Sequence, residues 1–108
     1  MKQLTLGNKT FATRFFLGTG KFASSEQTKA ALAASETELV TVALTRVHET
    51  EAAGDSILGA IDRNKIQVML NTSGARNAEE AVRIAKIGKA AGFNWIKIEV
   101  HPGADMLF

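Results

Sequence analysis

Short apolar runs and longer amphipathic stretches follow one another along the chain in a regular order. Leu4 and Leu6 alternate with polar neighbours, Gly7-Asn8 supplies turn residues and Thr10-Phe11-Ala12-Thr13 follows, which predicts a small hairpin. Phe15-Phe16-Leu17 is too short for a helix and is stopped by Gly18-Thr19-Gly20, so it reads as a strand. Ser24, with Gln27 three residues on, forms a capping-box pattern that opens a helix through about Ala34. Leu39-Val40-Thr41-Val42-Ala43-Leu44 is rich in β-branched residues and predicts a second strand. A less regular stretch with His48, Glu49 and Glu51 leads to a helix expected around Asp55 to Arg63, with Ile57, Leu58 and Ile61 on one face. Gln67-Val68-Met69-Leu70 predicts a third strand. Asn77 with Glu80 begins the clearest helix, in which Ala81, Ala85 and Gly88 form a small-residue stripe while Glu79, Arg83 and Lys86 face out. Gly92 ends it, and Trp95-Ile96-Lys97-Ile98-Glu99-Val100 predicts a fourth strand.

After the hairpin, strands and helices alternate, and the strand starts at 39, 67 and 95 recur every 28 residues. That is close to one βαβ step and argues for a parallel α/β sheet with right-handed crossovers. A flavodoxin-like open sheet and half of an eight-stranded barrel both have this order. An open sheet buries both strand faces and reads almost wholly apolar. Here Thr41, Ala43 and Thr45 alternate with Val40, Val42 and Leu44, and Lys97 and Glu99 alternate with Ile96, Ile98 and Val100. One aliphatic face for helices and one polar face for an interior is the barrel pattern. The expected fold is therefore a parallel (βα) half-barrel, the first four strands of a TIM-type (βα)₈ barrel behind a short hairpin, with residues 1–108 as one domain.

Composition narrows the chemistry. At 45% apolar and 22% charged residues the chain is expected to fold around a core rather than stay disordered. A net charge of +2 on scattered basic residues gives no footprint for nucleic acid or an anionic membrane. The absence of cysteine excludes disulfides, thiolate nucleophiles and zinc–sulfur sites. The start, Met1-Lys2-Gln3-Leu4, does not read as a signal peptide, and no apolar run approaches the ~20 residues of a membrane span. A cytoplasmic setting is expected.

Lys97 and Glu99 are two apart on a strand, so their side chains share a face. In a barrel interior, a lysine partly shielded from water gives up its proton more readily and can attack a carbonyl to form a Schiff base. Glu99 could then move protons for imine formation or α-deprotonation. The competing reading is a sheet edge whose Lys and Glu face water. Leu17-Gly18-Thr19-Gly20-Lys21 lies where the first parallel strand turns toward a helix, and its backbone N–H groups could approach an anion; the alternative is a tight βα turn. Asn71-Thr72-Ser73-Gly74 holds the equivalent place after the third strand, to bind substrate or to cap the loop. Thr45-Arg46 ends the second strand, where Arg46 could hold an acidic ligand or make a salt bridge. His48 and His101 are read as solvated or loop residues rather than metal ligands, and Trp95 as packing at the lower rim.

Taken in order, four motifs carry a resemblance: Leu17-Gly18-Thr19-Gly20-Lys21-Phe22, the strand from Leu39 through Thr45-Arg46, Leu70-Asn71-Thr72-Ser73-Gly74-Ala75 with Ala78-Glu79-Glu80-Ala81, and Trp95-Ile96-Lys97-Ile98-Glu99-Val100. Over residues 1 to about 102 the chain closely resembles the N-terminal half of the bacterial thiazole synthases of thiamin biosynthesis. The resemblance implies a (βα)₈ barrel transferase that builds the thiazole phosphate from 1-deoxy-D-xylulose 5-phosphate, dehydroglycine and sulfur carried as the thiocarboxylate of a small protein. It implies Lys97 as the imine-forming amine, Glu99 as the acid/base carboxylate and no metal or redox cofactor in this subunit. Gly18, Thr19, Gly20, Arg46, Asn71 and Thr72 are the expected substrate-binding residues. Two departures stand out: Leu70 occupies a place where the family usually has proline, and Thr45 precedes Arg46 where two basic residues usually end the strand. The family's second catalytic carboxylate and most of its phosphate-binding loops follow the segment matched here, so full activity is not expected of this chain alone. A half-barrel with open edges is expected to form a homo-oligomer. A non-catalytic, self-associating scaffold is the alternative function, and an unrelated lysine-imine aldolase-type barrel leaves the Gly18 and Asn71 motifs without a role.

Overall fold

A computed structural model describes residues 3–20 and 23–102. Strands β1 (Leu4–Leu6) and β2 (Lys9–Phe11) pair antiparallel around a turn in which Gly7 takes φ 58°, a left-handed value that suits a residue without a Cβ. Four parallel strands follow: β3 (Leu17–Gly18), β4 (Leu39–Ala43), β5 (Gln67–Asn71) and β6 (Ile96–Lys97). Their spatial order is β3-β4-β5-β6, each beside its predecessor. A doubly wound open sheet reverses direction at a switch point. This one runs in a single direction, as the successive strands of a barrel do.

The register separates two faces. Leu17 aligns with Val40, Val40 with Val68, Val42 with Leu70, and Leu70 with Ile96. These residues pack with Leu32, Leu44, Val47, Ile57, Ile61 and Phe93 in one core beneath the helices. The opposite row, Gly18–Thr41–Met69 and Ala43–Asn71–Lys97, forms the inner face. The chain is thus layered on one side only, as the expected half-barrel requires.

Helix α1 (Ser25–Ser35) starts where Ser24 Oγ accepts the Gln27 N–H, while Gln27 Oε1 reaches back to the Ala23 N–H. Helix α3 (Ala78–Ala90) repeats the device: Asn77 Oδ1 accepts from Glu80 N, and Glu80 Oε2 accepts from Arg76 N. Both match the predicted starts. The small-residue stripe of α3 lies against the sheet. A Cβ on Gly88 would come within 3.4 Å of Leu70 Cδ1 and 3.5 Å of Ile96 Cδ1, so the helix approaches the strands closely there. The departure at Leu70 also strengthens the ladder, because its N–H donates to Trp95 O at 2.9 Å and a proline has no N–H to give.

Between β4 and β5 the structure corrects the expectation. The strand ends at Ala43 rather than running on through Leu44-Thr45, and helix α2 (Leu44–Ala52) begins at once, burying Leu44 and Val47. The helix expected around Asp55 to Arg63 is a single 3₁₀ turn, Leu58–Ala60. Gly54 at φ 76° ends α2, and Asp62 pulls the chain into a new turn by accepting from Asn64, Lys65 and Ile66. That leaves too few residues for a stable helix. Ile57 and Ile61 still reach the core. The fourth strand is shorter than expected, with ladder pairing at Ile96 and Lys97 only.

The hairpin covers the N-terminal ends of the strands. Phe11 is buried edge-on against Phe16 (5.4 Å between ring centroids) and Trp95 (6.0 Å). Glu38 Oε1 accepts the Ala12 and Thr13 N–H groups at 2.6 and 2.8 Å, tying the hairpin to the start of β4. Trp95 therefore packs at the lower rim as expected. Among the described residues no helix is long and apolar enough to cross a membrane.

Candidate active site

Apart from Arg46, the residues singled out from sequence lie at or just past the ends of three strands, β3, β5 and β6. Asn71 and Lys97 are register partners at the C-terminal ends of β5 and β6, so both lie on the inner face. Asn71 Oδ1 accepts the Ser73 N–H at 3.1 Å, which shapes the loop and leaves the amide N–H₂ as the group available for other contacts. Lys97 is exposed, and Glu99 follows two residues on, partly buried.

Past Lys97 the backbone ladder stops, and Thr72 continues it with its side chain. The Thr72 N–H donates to Lys97 O at 3.2 Å. Its hydroxyl donates to Glu99 O at 2.7 Å and accepts from Glu99 N at 2.8 Å. Thr72 is only 1% exposed. Its hydroxyl holds protein backbone rather than facing the open inner surface, so its place in the site is to fix where Glu99 stands. Thr19 behaves alike. It is 1% exposed, and its hydroxyl donates to Thr41 O at 2.8 Å, joining the loop after β3 to β4. Gly18 pairs with Thr41 on the inner face, and Gly20 is exposed beside it. Lys21 and Phe22 of the same motif lie outside the described residues.

Arg46 is not at a strand end. It sits in the first turn of α2 and lines a crevice of about 130 Å³ with Ser24, Ser25, Glu49 and Asp55. Neither Lys97, Glu99 nor Asn71 borders that crevice. Asp55 closes it by accepting from the Ser25 backbone N–H (3.0 Å) and from the Ser25 hydroxyl at the start of α1. These two bonds hold its carboxyl below the usual carboxylate range, with smaller help from the charges of Arg46 and Lys29. An acid already occupies the helix start that Arg46 faces.

One neighbour escaped the sequence reading. His101 Nε2 lies 2.9 Å from Glu99 Oε2, and the His101 backbone N–H donates to Ala75 O at 2.8 Å. The signal was present: 97, 99 and 101 continue the period of two, with aliphatic residues between them. Lys97 thus stands beside Asn71 in the register, and two and four residues on Glu99 and His101 are joined side chain to side chain; an amine and a carboxylate are the groups that carbonyl condensation and proton transfer use.

The family model for the thiazole biosynthesis protein ThiG matches residues 5–108. This chain belongs to the ThiG family. Among its relatives, a thiazole synthase of Syntrophobacter fumaroxidans is 53% identical over 107 residues, covering 98% of this chain and 41% of that protein. Thiazole synthase 2 of Syntrophotalea carbinolica is 48% identical, covering 94% of this chain and 40% of its own length. A thiazole synthase of Flavobacterium psychrophilum is 47% identical, covering 99% and 42%. The ThiG chain described here therefore spans about two-fifths of the length of these curated relatives.

Proposed function

We propose that this chain carries the imine-forming part of a thiazole synthase, a transferase that builds the thiazole phosphate of thiamin. In this reading the Lys97 amine attacks the ketone carbon of 1-deoxy-D-xylulose 5-phosphate. The carbonyl oxygen departs as water, and a positively charged imine links Nζ to the sugar. Glu99 serves as the acid/base group, passing protons to the leaving oxygen and removing the hydrogen on the neighbouring carbon. Gly18, Thr19 and Gly20 offer backbone contacts at the mouth, Asn71 its amide and Arg46 a charge for an acidic group, with Thr72 acting through Glu99. Dehydroglycine and sulfur from a carrier-protein thiocarboxylate complete the proposed reaction, with no cofactor resident in this subunit. Residues 1–108 are proposed to act as one domain in a cytoplasmic homo-oligomer.

The observation that supports this reading best is Lys97 beside Asn71 on the inner face of a one-directional parallel sheet, with Glu99 two residues on, in a chain of the ThiG family. A second reading, a non-catalytic half-barrel that self-associates, is favoured by the open sheet edges at β3 and β6 and by exposed Val82, Ile87 and Ile98. Borohydride trapping with 1-deoxy-D-xylulose 5-phosphate separates the two. The expected result is a reduced adduct mapped to Lys97 and absent from Lys97→Ala. No adduct in a chain shown to be folded leaves the scaffold reading.

A further inference from the structure

We infer that His101 is a positioning residue for Glu99, holding one carboxylate oxygen so that the other is presented to the carbon beside the imine. The inference rests on the lysine-imine reading above. Three observations carry it. His101 Nε2 is 2.9 Å from Glu99 Oε2, and an ionised carboxylate only accepts, so the imidazole is the donor. The imidazole is itself tethered, because the His101 N–H is bonded to the carbonyl of Ala75, a fully buried residue in the loop between β5 and α3. Pro102 follows, and a proline disfavours helical backbone at the residue before it, which narrows the conformations open to His101.

Glu99 is therefore fixed at both ends. Thr72 holds its backbone N–H and carbonyl, and His101 holds Oε2. A glutamate has three side-chain torsions, and a base that samples many of them spends little time near the hydrogen it must take. With Oε2 tied, Oε1 is the oxygen left to act. When it does, the C–H bond next to the imine carbon breaks, the proton passes to Oε1, and the electron pair moves toward the iminium nitrogen to give a neutral enamine. His101 gains and loses nothing in the step.

The test compares wild type, His101→Ala and His101→Gln, the last keeping an amide donor that can reach the carboxylate. With 1-deoxy-D-xylulose 5-phosphate in deuterated water, two quantities are followed: the borohydride-trapped adduct on Lys97, and exchange of the substrate's α-hydrogen. His101→Ala is expected to slow exchange about tenfold or more, a part of the 10²–10⁴ that general-base catalysis supplies, while adduct yield at saturating substrate stays the same. His101→Gln is expected to recover most of the exchange. A residue needed only for folding would lower both quantities together and would not be rescued by Gln. In parallel, Glu99→Ala is expected to shift the His101 Nε2 resonance by ¹⁵N NMR, a readout that needs no turnover. An unmoved resonance overturns the pairing. A Lys97 adduct with exchange unchanged in His101→Ala overturns the inference and leaves the imine reading standing. No adduct in the wild type overturns the imine reading, whatever the resonance does, and the positioning role falls with it.

Discussion

Thr19 and Thr72 each sit just past the last ladder pair of a strand; the Thr19 hydroxyl bonds to the backbone of β4 and the Thr72 hydroxyl to the backbone just after β6. At the opposite end the buried Thr37 hydroxyl lies 2.6 Å from Phe15 O, bridging to the segment before β3, and accepts the Leu39 N–H. A buried hydroxyl in this role cannot be lost cheaply, because the backbone groups it served stay where they are. Thr72→Val keeps the shape and removes the bonds, and it is expected to destabilise the fold by about 1–3 kcal/mol in denaturant titration. Thr72→Ser, which keeps the hydroxyl, is expected to fall well short of that loss; equal losses for the two variants would argue for packing of the methyl group instead. None of this could be read from the sequence, since the partners lie 22 and 27 residues away. Lys97 and Glu99 stand out in the sequence because a period of two is a local property of a strand. His101 obeys the same period, but the aliphatic run that marks the strand ends at Val100, and the proline after His101 reads as a stop.

Among the elements, those with side-chain caps were the ones the sequence placed well. Ser24/Gln27 and Asn77/Glu80 mark the starts of α1 and α3, and both helices begin beside them. Helix α2 has no such mark: Ala43 precedes it and offers no side chain to cap with. The β-branched run then read as a longer strand, and the apolar positions at 57, 58 and 61 read as a helix, although glycines at 54 and 59 disfavour one. What joins this segment to α1 is Asp55. Its carboxyl is held below the ordinary range by Ser25, so its ionised form contributes stability that is in place above the usual carboxylate value near 4 and is lost as pH falls through its lowered folded value. Thermal unfolding followed across acid pH is expected to show Asp55→Asn varying less steeply than wild type. Identical slopes would mean that Asp55 is bonded to Ser25 without favouring the folded state. Glu80, lowered by its bonds to Arg76, acts in the same direction at α3 and is common to both proteins, so the difference isolates Asp55.

At the scale of the whole fold, the described residues place helices on one side of the sheet, a hairpin beneath it and polar groups on its inner face. Of the large apolar residues left exposed, Val82 and Ile87 on α3 and Ile98 and Val100 after β6 lie on or beside the last helix and strand, while Leu6 and Phe15 lie near the hairpin. The barrel-like pattern was legible because polar residues alternate within strands 4 and 6, whereas the strand order itself became visible only in three dimensions. Among the described residues β3 and β6 each pair on one side only, and such edges beside an exposed apolar surface favour association. Light scattering is expected to give a mass at least twice the 11.6 kDa of one chain, and a single-chain mass across a wide concentration range would oppose it.

The one-directional sheet has a further consequence for synthesis. Each parallel strand after β3 pairs with the strand made just before it, 23 to 28 residues earlier in the register. A chain leaving the ribosome N-terminus first can therefore lay down each pairing as soon as the next strand clears the exit tunnel. None of these four strands must wait, unpaired and aggregation-prone, for a distant partner yet to be translated.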